Sequence, residues 1–291
     1  MVFRQFTRIE PGLGKNAGDT LDFNKMSNVQ TQGGKITELQ DIPETKMLIR
    51  RGTLVLDEWG NSIPFTGKLE TLSEFDPGDI TQKGLMNDQR KVLDKAVADE
   101  LKTSKLCYIP TSDTVATWDT DGTPSTTAAV NWNYFHHKQV IDAMRVGEFG
   151  ASTGNPIPPM EDDNYVAVLS VKAARGLFDD PDYVTAAKYA QPRKLFAGEV
   201  ENVVYNCRII VSNNTNALDN GVGTSSVLGE AIYMGDDVIA EGVAIPEELR
   251  SKLPVKYGRD KGIAWYAILG FEKVWDLTTD GEEHIIRVTS A

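Results

Sequence analysis

The sequence predicts an α+β fold, and three observations carry the prediction. Tyr165–Leu169 is short, β-branched and apolar at both parities, as a strand covered on both faces must be. Thr81 to Lys105 reads as one long amphipathic helix. The tail supplies further strand material, Ala264–Leu269 and His284–Val288, with Asp280-Gly281 between them as a hairpin turn.

Taken in order, residues 1–35 mix glycine with polar residues (Pro11-Gly-Leu-Gly14, Gly33-Gly34) around one strand-like piece. So little apolar surface cannot form a core, and such an arm gains order by lying on something else. From Thr45 to Glu74 the pattern gives strands Lys46–Arg50 and Gly52–Leu56, a turn at Gly60-Asn61 and a strand Ile63–Leu69. A long hairpin of this kind leaves edge groups and a tip unsatisfied in a lone subunit.

In the long helix, Leu85, Val92, Leu93, Ala96, Val97 and Leu101 recur at spacings of three, four and seven, with Asp88, Arg90, Lys91, Asp94 and Glu100 on the other faces. About 25 residues at 1.5 Å each give roughly 37 Å, long for a chain of this size. Thr111–Thr127 reads as a loop with a turn at Asp121-Gly122. A second helix, Tyr134–Val146, turns Val140, Ile141 and Met144 inward. After the strand at Tyr165, Ser170 caps a helix Lys172–Phe178 that Asp179-Asp180-Pro181 stops, since the residue before proline is pushed out of the α region. A polar loop then leads to a hairpin built from Lys194–Val200 and Val203–Val211. No internal repeat or low-complexity tract is present.

The 291 residues allow one large domain or two smaller ones. With 42 Asp and Glu against 30 Lys and Arg, the formal net charge is −12, which argues against a protein that grips nucleic acid or anionic lipid. The first thirty residues hold no apolar signal region and no run of about 18 apolar residues occurs, so a chain cytosolic when made is expected. Cys107 and Cys207 sit beside apolar residues and read as buried free thiols. In that compartment the sequon Asn213-Asn214-Thr215 is only a turn.

Candidate chemistry is thin. His136 and His137 are adjacent on a helix, so their side chains diverge by about 100° and cannot share a metal; a partly exposed helix start is the expectation. His284 is the only other histidine, and no G-x-S-x-G elbow exists to hold a serine. Gly12-Leu-Gly14-Lys15 lacks phosphate-loop spacing, and Asp119-Thr-Asp121-Gly122 is half a calcium loop without its bidentate glutamate. The carboxylate clusters Glu161-Asp162-Asp163, Asp179-Asp180 and Asp236-Asp237 fall at element ends and read as solvated turns and caps. Trp59, Trp118, Trp132, Trp265 and Trp275 read as core or interface anchors, with nothing basic interleaved. No catalytic, cofactor or metal residue is therefore nominated. A soluble α+β hydrolase using Asp or Glu is the alternative, and it requires a concave pocket with convergent polar groups. A decoration or tail protein is a further alternative, against which the long helix argues.

The order of several weak motifs is more specific than any one of them. Tyr165–Leu177, Leu195-Phe-Ala-Gly-Glu-Val200 and Arg208-Ile-Ile-Val-Ser212 follow one another, with Gly18-Asp-Thr-Leu-Asp-Phe23 early and Ala231-Ile-Tyr-Met-Gly235 late. This order resembles the major capsid proteins of tailed bacteriophages, within the group typified by that of coliphage N4. The resemblance implies the HK97-like capsid fold: an N-terminal arm (1–35), an E-loop (36–75), a peripheral domain with the spine helix (76–110 and 240–291), and an axial domain (111–239). Gly18 stands earlier than its counterpart in the family, so a short arm is expected. The implied function is structural: a self-assembling subunit of hexamers and pentamers, in a shell around double-stranded DNA, made in the host bacterial cytoplasm. Portal, scaffold and decoration proteins are the further partners the resemblance implies, with no cofactor and no membrane. The hairpin layout nominates Arg50, Arg51, Asp57, Glu58, Trp59 and Lys68 as E-loop contacts, because charges and a tryptophan on such a hairpin suit docking.

Overall fold

The computed structural model describes residues 2–10, 18–26, 49–160, 163–190 and 203–291, with isolated positions between 34 and 44. In chain order the first elements are β1 (Thr7–Glu10), β2 (Thr20–Met26), β3 (Ile49–Val55), β4 (Asp57–Thr66), α1 (Gly67–Leu72) and α2 (Pro77–Leu101). They are followed by β5 (Leu106–Ser112), β6 (Val115–Asp119), α3 (Tyr134–Val146), a small pair β7 (Glu148–Phe149) and β8 (Ser152–Thr153), β9 (Tyr165–Ser170), α4 (Val171–Phe178) and α5 (Pro181–Ala190). The remainder holds β10 (Val203–Val204), β11 (Cys207–Ser212), β12 (Ala231–Met234), β13 (Ile239–Ser251), β14 (Asp260–Lys273), α6 (Leu277–Asp280) and β15 (Ile285–Val288).

A mixed seven-stranded sheet of order β10-β11-β9-β12-β15-β5-β6 forms the centre. All six residues of β9 are buried, because successive side chains enter different cores. Tyr165, Ala167 and Leu169 join Val140, Ile141 and Met144 of α3 and Ala173, Ala174 and Leu177 of α4. Val166 and Val168 join Leu85, Leu93, Val97, Ala98 and Leu101 of α2. The long helix thus serves both this sheet and a second, four-stranded sheet of order β1-β13-β14-β4, whose Ile263, Trp265, Ala267, Leu269 and Phe271 reach the same core.

Local signals explain most boundaries. Asp76 accepts from the Gly78 amide and Pro77 opens α2, so the helix begins four residues before the expected Thr81 and ends at Leu101 rather than Lys105. Helix α3 has the expected bounds, with Asn133 capping its start and Gly147 (φ 79) its end. Ser170 caps α4 as expected. Pro181 stops α4 but also opens α5, with Asp180 accepting from the Asp182 amide, where only a polar loop was expected.

Four pairings differ from the sequence reading. Residues 49–55 form one strand, and its partner is β2, antiparallel from Thr20↔Val55 to Met26↔Ile49, rather than a neighbour in a local hairpin. The expected turn at Gly60-Asn61 lies inside β4, which pairs along its whole length with β14, and Gly67–Leu72 is helical. Asp280-Gly281 ends α6, with Gly281 left-handed at φ 75, and β15 pairs with β12 and β5 instead of β14. Part of the expected loop 111–127 is strand β6, paired with β5. Gly12–Lys15, Glu161-Asp162 and Leu195–Val200 lie outside the described residues.

Candidate assembly surfaces

The β2–β3 pair is a separate ribbon seated on the four-stranded sheet. Leu21, Phe23 and Leu54 bury against Ala240, Val274 and Trp275. Leu54 fits because Gly242 and Gly270 carry no side chain there: a Cβ on Gly270 would stand 2.1 Å from the Val55 carbonyl oxygen and 2.6 Å from Leu54. A nearly buried ion pair joins Lys25 to Asp280, and the Lys25 ammonium also donates to the Val274 carbonyl at 2.6 Å. Arg50 reaches the same carboxylate at 3.1 Å and also donates to the Thr279 carbonyl. The far end of the ribbon carries exposed Met26 and Ile49, from which residues 27–48 depart.

The six nominated residues therefore divide between two elements. Arg50 and Arg51 lie on β3, with Arg50 engaged by Asp280 and Arg51 largely exposed beside Asp22. Asp57, Glu58 and Trp59 lie on β4. Both carboxylates are exposed, whereas the Trp59 indole is half-buried, donates to the Leu269 carbonyl at 3.0 Å and meets Phe271 edge-on. Lys68 is exposed on α1.

A second projection is the β13–β14 hairpin, whose end holds Arg250, Lys252, Lys256, Arg259 and Lys261 against Asp260. Leu253 is 83% exposed there and Tyr257 fully so, the latter at a left-handed φ of 57°. Exposed Leu69, Leu72, Phe75 and Ile80 add to the apolar surface the chain presents to solvent. Apolar groups on projecting hairpins with paired charges beside them are the composition of a docking surface.

The first residues form a third feature. Asp94 of α2 is buried and accepts from the amides of Val2 and Phe3 at 2.6 and 2.8 Å, so it belongs to the inner face of the helix and not the outer one. Strand β1 then runs parallel to β13 from Thr7↔Ile239 to Glu10↔Gly242. Arg4 pairs with the buried Glu241 and Arg8 with Asp237 at 2.5 Å. The described part of the arm lies on its own chain.

The titratable groups of the interior are locked in structural roles. His136 and His137 are both fully buried, in contrast to the expected exposed helix start. The Trp132 indole donates to the Tyr233 hydroxyl at 3.1 Å, Tyr233 donates to His137 Nδ1 at 2.7 Å, and His137 Nε2 donates to the Val204 carbonyl at 3.0 Å. Tyr108 donates to His136 Nδ1 at 2.7 Å, and His136 Nε2 donates to the Ser112 carbonyl at 2.9 Å. Desolvation lowers both imidazoles, His137 to about 4, so both are neutral acceptors near pH 7. Burial lifts the Glu283 carboxyl to about 7 against the opposing pull of Lys273 at 3.1 Å, and raises both buried thiols, Cys107 and Cys207. Glu283 is sealed from solvent, so no substrate reaches it. Asp119 accepts from the Ser125 amide and hydroxyl at 2.9 Å and Asp121 from the Thr123 amide at 2.8 Å, which is turn chemistry.

An open cavity of about 450 Å³ lies over β4, β13 and β14, lined by Ser62, Pro64, Arg250, Lys252, Gly262 and Ala264 among others. It contains no carboxylate, histidine or cysteine, so it offers neither a general base nor a nucleophile.

The architecture is found in known structures. The capsid of Helicobacter pylori bacteriophage KHP30 superposes with a TM-score of 0.72 at 14% identity, over 100% of this chain and 91% of that one. The capsid of Ralstonia phage GP4 gives 0.67 at 15% identity, covering 98% and 87%. That of cyanophage Pam1 gives 0.67 at 15%, covering 95% and 86%. The chain has the HK97-like capsid fold. No family model and no curated protein matches the sequence. Within this fold α2 is the spine helix, and the ribbon β2–β3 occupies the stretch read as arm and E-loop.

Proposed function

We propose that this chain is a major capsid subunit of a tailed phage, and that copies of it form the hexamers and pentamers of a closed shell around double-stranded DNA. The observation that carries the reading is the full-length correspondence to capsid chains, which leaves no part of the molecule over for a separate catalytic domain. The projecting ribbon, the bare hairpin end and the unpaired outer edge of β4 are groups a lone subunit leaves unsatisfied and a neighbour would cover. A structural role without catalysis agrees with histidines and acids that are all spent on internal bonds. Membership of the N4-like group is proposed on motif order alone. The four-part division, residues 1–35, 36–75, 76–110 with 240–291, and 111–239, is likewise part of this reading.

The E-loop contact is proposed through Arg50, Arg51, Asp57, Glu58, Trp59 and Lys68. Arg51, Asp57, Glu58 and Lys68 are the members that reach a neighbour, whereas Arg50 and Trp59 hold their elements on the chain. In the host cytoplasm, portal, scaffold and decoration proteins are the further partners this reading invites. The test is negative-stain microscopy of the purified, concentrated chain, wild type and with Arg50→Glu and Arg51→Glu. Shells, tubes or capsomer rings from the wild type alone are the expected result. A wild type that stays monomeric at every concentration would remove the capsid reading, and intact shells from the double variant would remove the E-loop contact.

A further inference from the structure

We propose that the solvent face of α2 is the surface that meets the phosphates of the enclosed double-stranded DNA; this rests on the capsid reading above. Lys83, Asn87, Lys91 and Lys95 stand four residues apart and form one ridge of the helix, with Arg90 beside it, and all are exposed. Lys83, Arg90 and Lys91 make no ion pair among the described residues, while Lys95 pairs with Asp99.

The acids of the same helix have been taken out of play. Asp94 is buried on two backbone amides. Asp88 accepts from the Trp265 indole at 3.0 Å and from Asn61 at 2.8 Å. Asp79 remains, in the first turn, where a carboxylate complements the helix dipole. The ground beside the ridge is amide-rich and carboxylate-free: Gln82 and Asn87 on the helix, and exposed Asn213, Thr215 and Asn216 on a loop that Asn214 ties to the Lys91 carbonyl at 3.3 Å. Neutral donors around spaced cations are what a sequence-independent phosphate contact uses.

Other basic groups differ in this respect. At the β13–β14 end Arg250, Lys256 and Lys261 are paired with Glu248, Asp260 and Glu70, and Arg4 and Arg8 are paired with acids on or beside β13. In a chain of net charge −12, unpaired cations on one ridge are the exception. A protein partner would need an apolar centre, and between Lys83 and Lys95 the only large apolar side chain exposed is Met86. Twelve residues at 1.5 Å make the ridge about 18 Å long, which spans roughly ten duplex charges at 1.7 Å each.

Fluorescence anisotropy of a labelled duplex of about 20 base pairs with the purified full chain tests this. Three phosphate contacts predict a salt slope near −2.7, so affinity falls roughly 40-fold between 50 and 200 mM salt. The variant Lys83→Gln, Arg90→Gln, Lys91→Gln loses binding and slope yet still forms shells in the microscope, and Lys252→Gln with Arg259→Gln retains both. The proposal falls if the wild type leaves the duplex unbound at 50 mM, if the triple variant binds as well, if the hairpin-end variant is the one that loses binding, or if polyglutamate binds the ridge as tightly as the duplex. Shell formation is read separately: shells without duplex binding sink this inference alone, while binding without shells would count against the capsid reading instead.

Discussion

His137 shows how much one buried side chain can decide. It is fully enclosed, hydrogen-bonded at both nitrogens, and neutral because charging it would strand a cation in the core. Its folded pKa of about 4 lies below the ordinary value of 6.5, so the unfolded chain takes up the proton first as pH falls. Stability is therefore fully present above about 6.5, is lost progressively below it, and the loss is complete below about 4, amounting to roughly 3 kcal/mol for a shift of that size. Glu283 acts in the opposite sense: its raised pKa makes the folded state gain stability as pH falls from about 7 to 4.5. The variant His137→Leu isolates the first effect. It should lower the thermal midpoint at pH 7, because Tyr233 and Val204 lose partners at about 1–3 kcal/mol, yet show a shallower acid loss between pH 6.5 and 4 than the wild type. An equal slope in the two proteins would mean that His137 is not the group being protonated. None of this was legible in the sequence, where two adjacent histidines carried no sign of the tyrosines, Tyr108 and Tyr233, that would enclose them.

At the scale of elements, what could be read was what repeats locally. The spine helix and α3 announced themselves through apolar spacing, and β9 through being apolar at both parities. Pairings across the chain did not: β2 and β3 meet with 27–48 between them, and Asp94 finds partners 91 and 92 residues away, neither of which leaves a local mark. The ribbon's seat gives a direct test. Gly270→Ala would push a methyl into the Val55 backbone, which cannot swing aside as a side chain could, so roughly 2–4 kcal/mol should be lost, with faster proteolysis near Met26 and Ile49. An unchanged midpoint and cleavage rate would show that the ribbon does not sit on β14 as described. Asp94→Ala removes a charged acceptor from two buried amides, a loss of about 2–4 kcal/mol, and should raise hydrogen exchange over residues 2–10 ahead of the rest of the chain. Exchange that rises uniformly would place Asp94 in global stability instead of in holding the arm.

On the level of the whole molecule, net charge and local pairing pull in opposite directions. Each copy carries −12, so bringing copies together is repulsive at long range, while contacts between the proposed interface residues, Arg51 and Lys68 against Asp57 and Glu58, would be attractive at short range. Salt separates the two, because the screening length is about 30 Å at 0.01 M and about 8 Å at 0.15 M. The first distance exceeds the spacing between neighbouring surfaces and the second is close to it, so added salt should remove repulsion before it weakens close, partly covered pairs. Light scattering should accordingly show little assembly at 10 mM salt and a lower threshold concentration at 150 mM. If assembly is instead strongest at 10 mM, close pairs dominate over net charge, and the Arg51→Glu variant should then abolish the salt response as well as the shells.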